Sequence, residues 1–522
     1  MTIMPIMTTP GVLITGTDSF PNAVTPVATA VPAFIGYTPR ADYQGTSYYN
    51  KPVRITSFAE YMALFGLSAP QAQYSPQYYL VEQASVPAAG TSITVNNTVY
   101  AILPDPNTIY YLYNAIRLFF LNGGGAAWVV SVGPYGAASG APVAAPGVQA
   151  VNPNVKLSEL QAGLALLEAE PEPTLYLCPE ATLLSPTDNA ALVQAMLTQA
   201  ERLETAFCLF DVVNGNQPTQ QTYSDQITAF RLGTGPFGLK YGACYYPFIG
   251  TTVIQAGEIT YANLFGGTIA ALAPLLDSPA NPNPVARKII DAIENPPANP
   301  LTPSQLHSAL LSASLTYTEI LQQVTATASI LPPSAAMAGV YTVNDATRGV
   351  WNSPANTSIV GAANLPIQLT DSQQAALNVD AITGKSINVI RQFAGQGILI
   401  WGARTLDGNS QDWRYVAVRR TMTFLEQSVK LAAQAYIFAP NDANTWAAVK
   451  SMIGSFLTDV WKQGGLQGAK PLEAFSVDIG LGSTMTPRDL MDGYMRVTVA
   501  VAVVRPAEFI EITFQQQMAQ SG

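Results

Sequence analysis

Residues 109–132 read IYYLYNAIRLFFLNGGGAAWVVSV, and their pattern decides the fold. Tyr113, Ile116 and Phe120 fall at i, i+3 and i+7, the spacing of one apolar face of a helix over 109–121. Asn122-Gly123-Gly124-Gly125 stops it, because glycine readily takes the left-handed backbone that terminates helices. Residues 127–132 then read as a buried strand. Helix, glycine turn and strand make one α/β unit, and the alternation recurs downstream. A helix is expected over 157–167, a strand over 174–178, a helix over 188–203 and a strand over 206–212. Such a series predicts a sheet layered with helices.

A chain of 522 residues corresponds to about three domains. It is 48% hydrophobic and only 11% charged, where an ordinary soluble domain carries roughly 25% charge. A surface so poor in charge suits a chain that buries its exterior against copies of itself. The net charge of −10 argues against nucleic acid as a partner, which demands a clustered cationic face. The single histidine, His307, excludes multi-histidine metal sites and HExxH chemistry, and it reads as a solvated surface residue. Cys178, Cys208 and Cys244 form no CxxC pair and read as buried, reduced thiols. A catalytic cysteine would need a neighbouring base. No cofactor and no metal are expected. The first cation is Arg40, and Pro5 and Pro10 interrupt any signal-like apolar run. The expectation is assembly in the cytoplasm of the producing cell, with no membrane insertion.

The two ends attract notice. Proline at 5, 10, 21, 26, 32 and 39 forbids helix there. Val12, Leu13 and Ile14 form a lone strand with nothing adjacent to pair with. Near the other end, 497–504 is an apolar run that suits a buried strand. After the break at Arg505-Pro506, Phe509, Ile510, Ile512 and Phe514 form a second lone strand. Unpaired strands must add to a sheet in their own chain or in another.

Between the ends, Ser57 and Glu60 frame a helix over 57–65 that Gly66 stops. Residues 86–108 read as a hairpin-like insertion, 133–155 as a surface loop, and the Pro/Ala/Asn-rich 278–303 as a mobile or peripheral stretch. The clearest helix covers 412–437, and a second begins at an Asn444/Thr445 cap.

Searches for catalytic motifs fail on specific residues. Gly395-Gln396-Gly397 lacks the third glycine of a dinucleotide fingerprint, since Ile400 occupies its place. Gly468-Ala469-Lys470-Pro471 lacks the Gly-Lys-Ser/Thr of a phosphate loop. Ser410 lacks the second glycine of a nucleophile elbow. Arg391, Arg404, Arg414, Arg419 and Arg420 cluster in the C-terminal half. They read either as ion-pair partners of Asp407, Asp412 or Glu426, or as an interface cluster that meets acidic residues of another subunit.

Five blocks, in order from residue 9 to about 514, resemble contractile tail sheath proteins. Thr9-Pro10-Gly11-Val12 is similar to the family's PGVY opening. Residues 116–130 resemble its FFxNGG…YVVRV segment. Pro332-Pro333-Ser334, Ala338-Gly339-Val340-Tyr341, Asp345, Arg348-Gly349-Val350-Trp351 and Pro354-Ala355-Asn356 resemble PPSG…AGVYARTD…RGVWKAPAN, with Ala335 and Ala336 replacing Gly and His. Residues 387–406 resemble INVIRxFxGxGIxVWGARTL, and Arg505-Pro506-Ala507-Glu508-Phe509-Ile510 resembles the PAEFI ending. Regions 86–108 and 252–310 depart from the pattern.

The resemblance implies an α/β (α+β) multidomain protein. Residues 1–20 would be an N-terminal arm, 21–365 an outer domain with insertions near 86–108 and 252–310, 366–505 an inner domain facing a tube, and 506–522 a C-terminal strand arm. Both arms would complete a small sheet on neighbouring subunits, with hinges at Pro21, Pro26, Arg505 and Pro506. Implied partners are further copies of the chain, an inner tube protein, and baseplate and terminal cap proteins. The function implied is mechanical: a sheath that polymerises helically and contracts to drive the tube through a target membrane, in a virion tail or a released or cell-anchored particle. The divergent insertions and neutral surface favour a phage-tail-like injection system. A shell or surface-layer protein and an α/β nucleotide-binding enzyme are the competing classes.

Overall fold

The structure is a computed structural model that describes residues 23–66, 76–217, 223–255, 257–509 and 511. Among these, 28–423 and 505–511 form a larger compact unit, and 23–27 with 424–504 a smaller one.

The larger unit is built on an eight-stranded sheet. Its order is Gly397–Ile400, Asn388–Phe393, Gly242–Tyr246, Phe207–Asp211, Leu175–Leu177, Pro32–Thr38, Ala127–Pro134 and Pro52–Ile55. The six central strands run parallel, and the first and last pair antiparallel at the edges. Parallel strands are covered on both faces, so their side chains alternate between two apolar layers. Phe34, Leu209 and Ala243 enter one layer with Ile116, Met337 and Tyr341 from helices Leu112–Leu121 and Ser334–Arg348. Ile35, Phe210 and Cys244 enter the other with Leu160, Leu192 and Met196 from helices Leu157–Leu166 and Pro186–Leu203. The expected helix–turn–strand unit is therefore present, with Ala127–Pro134 inside the sheet. Residues 388–400 also join this sheet, so the compact units divide at 423/424 rather than near 365/366.

Two buried carboxylates hold the helices against the sheet. Glu180 Oε1 accepts from Leu112 N at 2.8 Å, where Tyr111 supplies no side-chain cap. Asp211 Oδ1 accepts from Ser334 N at 2.8 Å. A Cβ on Gly36 would stand 2.4 Å from Glu180 Oε2, so this strand position has room only for glycine. Burial raises Glu180 to about 8 and Asp211 to about 7, against opposing backbone hydrogen bonds for Glu180 and bonds from Ser334 for Asp211. The unfolded chain gives up the Glu180 proton near 4.5, whereas the folded chain keeps it until about 8. Over that window the folded state holds more protons, so stability falls as pH rises. Urea midpoints should decline from pH 5 to pH 8, and Glu180→Gln should flatten the part of the decline due to this residue. A Glu180→Gln profile as steep as the parent's would contradict the assignment.

Three expectations are corrected. Residues 278–303 are not a featureless stretch: helix Pro284–Glu294 lies within it and buries Ala286 and Ile290. Two of the prolines there open helices rather than break them. Pro284 follows the Asn283 cap, and Pro303 follows Thr302, whose capping box with Gln305 starts helix Pro303–Ala313. His307 on that helix is buried rather than solvated, and its Nδ1 lies 2.9 Å from the Tyr317 hydroxyl. Burial lowers its pKa. Insertion 86–108 contributes to a three-stranded sheet of Tyr78–Gln83, Thr98–Pro104 and Ser92–Val95. Third, strand Val497–Val501 is largely exposed rather than buried, for reasons given below.

In the smaller unit, helix Val416–Ala433 ends and helix Ala443–Lys462 follows. The second helix is capped by Asp442, whose carboxylate accepts from Asn444 N and Thr445 N at 3.0 Å each, rather than by Asn444 or Thr445. Val449, Ile453, Phe456 and Val460 are buried along it, and Phe424 meets Phe456 at 5.8 Å between ring centres.

Candidate assembly site

Two features bear on association. The first is the sheet of the smaller unit, an antiparallel pair of Phe475–Ile479 and Val497–Val501 with Phe475 opposite Val501 and Ile479 opposite Val497. Its inner face carries Val477, which is buried where this strand packs on helix Ala443–Lys462. Ala502 N donates to Ala474 O at 2.8 Å. Hydrogen-bonding direction alternates along a strand, so residues 498 and 500 face the partner strand while 497, 499 and 501 turn their main-chain groups outward. By the same register 475, 477 and 479 turn outward on the other strand. Neither outer edge carries a further strand among the described residues. A two-stranded sheet is marginal by itself, and open edges are templates for strand addition. The apolar run at 497–504 was legible as a strand, but Val497–Val501 is largely exposed because it is an edge strand of a two-stranded sheet among the described residues.

The second feature is the start of the C-terminal segment on the larger unit. Arg505 Nη1 donates to Gln411 O at 2.6 Å, and its Nη2 lies 3.6 Å from Asp412. Glu508 is gripped by Arg404, with Nε to Oε1 at 2.9 Å and Nη2 to Oε2 at 2.6 Å. Asn378 Nδ2 donates to Oε1 at 2.8 Å and Tyr415 OH to Oε2 at 3.3 Å. These bonds hold Glu508 below the usual carboxylate range despite its partial burial, which acts the other way. Phe509 follows with 76% of its surface exposed.

The predicted site residues are distributed as follows. Val12, Leu13, Ile14, Pro21, Ile510, Ile512 and Phe514 lie outside the described residues. Pro26 is exposed and Pro506 half-buried. The five arginines find partners within the chain, and three of them pair with acids that sequence proximity did not suggest: Arg391 with Asp371, Arg404 with Glu508 and Arg420 with Asp345. Arg391 binds Asp371 and Gln374 at 2.7 and 2.6 Å. Arg404 takes Glu508. Arg414 donates to Ser410 O at 2.8 Å. Arg419 lies over Trp413 at 4.6 Å, and Arg420 is buried against Asp345, with contacts at 3.0 and 2.5 Å. Sequence reading quoted Asp345 and Glu508 inside recognisable blocks without seeing them as partners, because each lies 75 or more positions from its arginine. All three cysteines are free and buried, and burial raises each thiol well above its ordinary range. No helix among the described residues is long and apolar enough to cross a membrane.

Comparison with known proteins gives concordant results. Residues 312–406 match the phage tail sheath protein central domain, and 409–517 the phage tail sheath C-terminal domain. The tail sheath protein of Vibrio phage KVP40 is 27% identical over 190 residues, 35% of this chain and 26% of that protein. A putative prophage major tail sheath protein of Pseudomonas aeruginosa (strain UCBPP-PA14) is 27% identical over 149 residues, 28% of this chain and 37% of that one. The match thus spans between about a quarter and two-fifths of these relatives. Among solved structures, the helical sheath of the anti-feeding prophage in its contracted state aligns over 98% of this chain and all of its own, at 26% identity and a TM-score of 0.60. The sheath complex of the extracellular contractile injection system PVC, also contracted, shares the fold at 24% identity and a TM-score of 0.58, over 98% and 99% of the two chains. Ordered sequence blocks, the multidomain α/β fold and these relatives agree, and the chain is similar to phage tail sheath proteins in their central and C-terminal domains.

Proposed function

We propose that this chain is a structural subunit of a contractile sheath, polymerising helically around an inner tube and contracting to drive that tube through a target membrane. Its role is mechanical rather than catalytic. The observation that carries the reading is the two-stranded sheet whose edges both lie open. Two edges per subunit match the two lone strands at the chain ends. Each arm, given to a different neighbour, adds main-chain hydrogen bonds worth roughly 1 kcal/mol apiece. Because giver and receiver surfaces differ, the contact is head-to-tail and propagates into an open helix. On this reading the smaller unit, with 424–504, faces the tube, while baseplate and cap proteins bound the polymer. Contraction is rigid-body repacking of subunits that stay joined by their arms. The low charge content supports a polymer with extensive subunit contacts, and a released phage-tail-like particle is the setting it fits.

The test is electron microscopy of the purified chain, alone and with its tube protein, beside a Val499→Pro variant. Val499 turns its N–H outward, so proline there should spare the internal ladder yet deny one hydrogen bond and obstruct an added strand. Hollow ridged tubes from the parent and about tenfold fewer from the variant are expected, from a loss of roughly 1.4 kcal/mol per contact. Flat sheets from the parent, or equal tube yields, would contradict the proposal.

A further inference from the structure

We infer that Arg404 and Glu508 form a clamp that fixes the root of the C-terminal arm, so that the arm swings from Phe509 rather than from Arg505-Pro506. The inference rests on the assembly reading above, which it makes more specific. Two separate blocks of sequence meet here: Gly402-Ala403-Arg404-Thr405, after the edge strand Gly397–Ile400, and Pro506-Ala507-Glu508-Phe509, at the start of the arm.

The clamp is anchored from below. Arg404 N donates to Asn388 Oδ1 at 2.7 Å, and Asn388 Nδ2 donates to Arg404 O at 2.8 Å and to Cys244 O at 3.2 Å. Asn388 begins the strand that pairs with Gly242–Tyr246, so the guanidinium is fastened by its own backbone to the central sheet. Only 4% of the Arg404 side chain is exposed, against 21% for Glu508. The planar fork of arginine matches the two carboxylate oxygens, giving direction as well as attraction. With Asn378 and Tyr415 added, the carboxylate accepts from four donor atoms and cannot rotate freely. Arg505, by contrast, is exposed and held by a main-chain carbonyl and a long contact with Asp412.

Phe509 is largely exposed although its neighbour is fastened through two residues to the sheet. A strand lent to a neighbour gains from a fixed origin, because a short tether from a defined point raises the effective concentration of the strand at its receiving edge. A loose root would let the arm sample directions in which no neighbour lies.

The experiment uses the full chain carrying Phe509→Cys with a nitroxide label, a selective site because the three native thiols are buried. Spectra of unassembled subunits are compared with those of Glu508→Gln and Arg505→Ala in the same background, and tube yield is measured for each. Glu508→Gln keeps the shape of the side chain and loses its charge, so the fold is retained and circular dichroism verifies it. The expected result is a label at least about fivefold more mobile in Glu508→Gln, a tube yield about tenfold lower, and an unchanged label in Arg505→Ala. A label equally ordered in Glu508→Gln, or one freed by Arg505→Ala, would overturn the clamp. Parent subunits that form no tubes while the label responds as expected would count against the assembly reading and leave the clamp standing.

Discussion

Deleting residues 510–522 yields folded, monodisperse subunits that no longer form tubes. The buried apolar residues of both described units all precede the strand removed. What it would supply is a row of main-chain hydrogen bonds to a neighbour's open edge. If about four such bonds form, each worth roughly 1 kcal/mol, their loss weakens a single contact by about a thousandfold. Every subunit in a helical polymer loses the same contact, so elongation fails at concentrations where the parent assembles. Sedimentation should place the truncated chain in the supernatant with an unfolding transition close to the parent's. Tubes of normal diameter from the truncated chain would show that the arm is dispensable.

Asp345→Ala should destabilise the larger unit as strongly as the loss of a large core side chain. Arg420 is 3% exposed and Asp345 5% exposed at their side chains. The guanidinium also donates to Thr29 O at 2.8 Å and stacks over Tyr341 at 4.6 Å, where Tyr341 is bonded to Tyr245 at 2.7 Å. Removing the carboxylate leaves a buried cation without its counter-charge, which costs about 3–5 kcal/mol. The double substitution Asp345→Leu with Arg420→Met removes both charges and should recover most of that loss, because the desolvation cost of the ions disappears with them. Denaturant unfolding measures both. A loss under about 1 kcal/mol, the range of exposed pairs, would mean that water reaches the arginine.

What could be read from the sequence was governed by distance along the chain. Ser57, Glu60 and Gly66 all act within a single short helix, and the structure uses Ser57 as the cap and Gly66 as the stop; Glu60 accepts from Thr56 N. The glycine turn after Leu121 and the strand after it were equally local. Proline misled where its position mattered more than its presence: Pro284 and Pro303 stand at the first turn of helices, and the same residues one turn later would have broken them. His307 looked solvated because Tyr317, its partner, sits on the next helix. The candidate site was half legible. Lone strands at the ends and five clustered arginines could be seen, but which acid meets which arginine is decided by the fold, as Arg404–Glu508 and Arg420–Asp345 illustrate.

The strand order carries a consequence for biosynthesis. Pro32–Thr38 is the first strand described and lies near the middle of the sheet, buried along its whole length. Its two neighbours are Ala127–Pro134 and Leu175–Leu177. The first of them leaves the ribosome roughly 90 residues later, about 5 to 20 seconds at ordinary synthesis rates. Throughout that interval an apolar strand waits with both faces and both edges uncovered. A cell making many copies on neighbouring ribosomes thus holds many identical sticky segments at once, and production of this protein should draw on chaperones that shield nascent chains long before any subunit meets another.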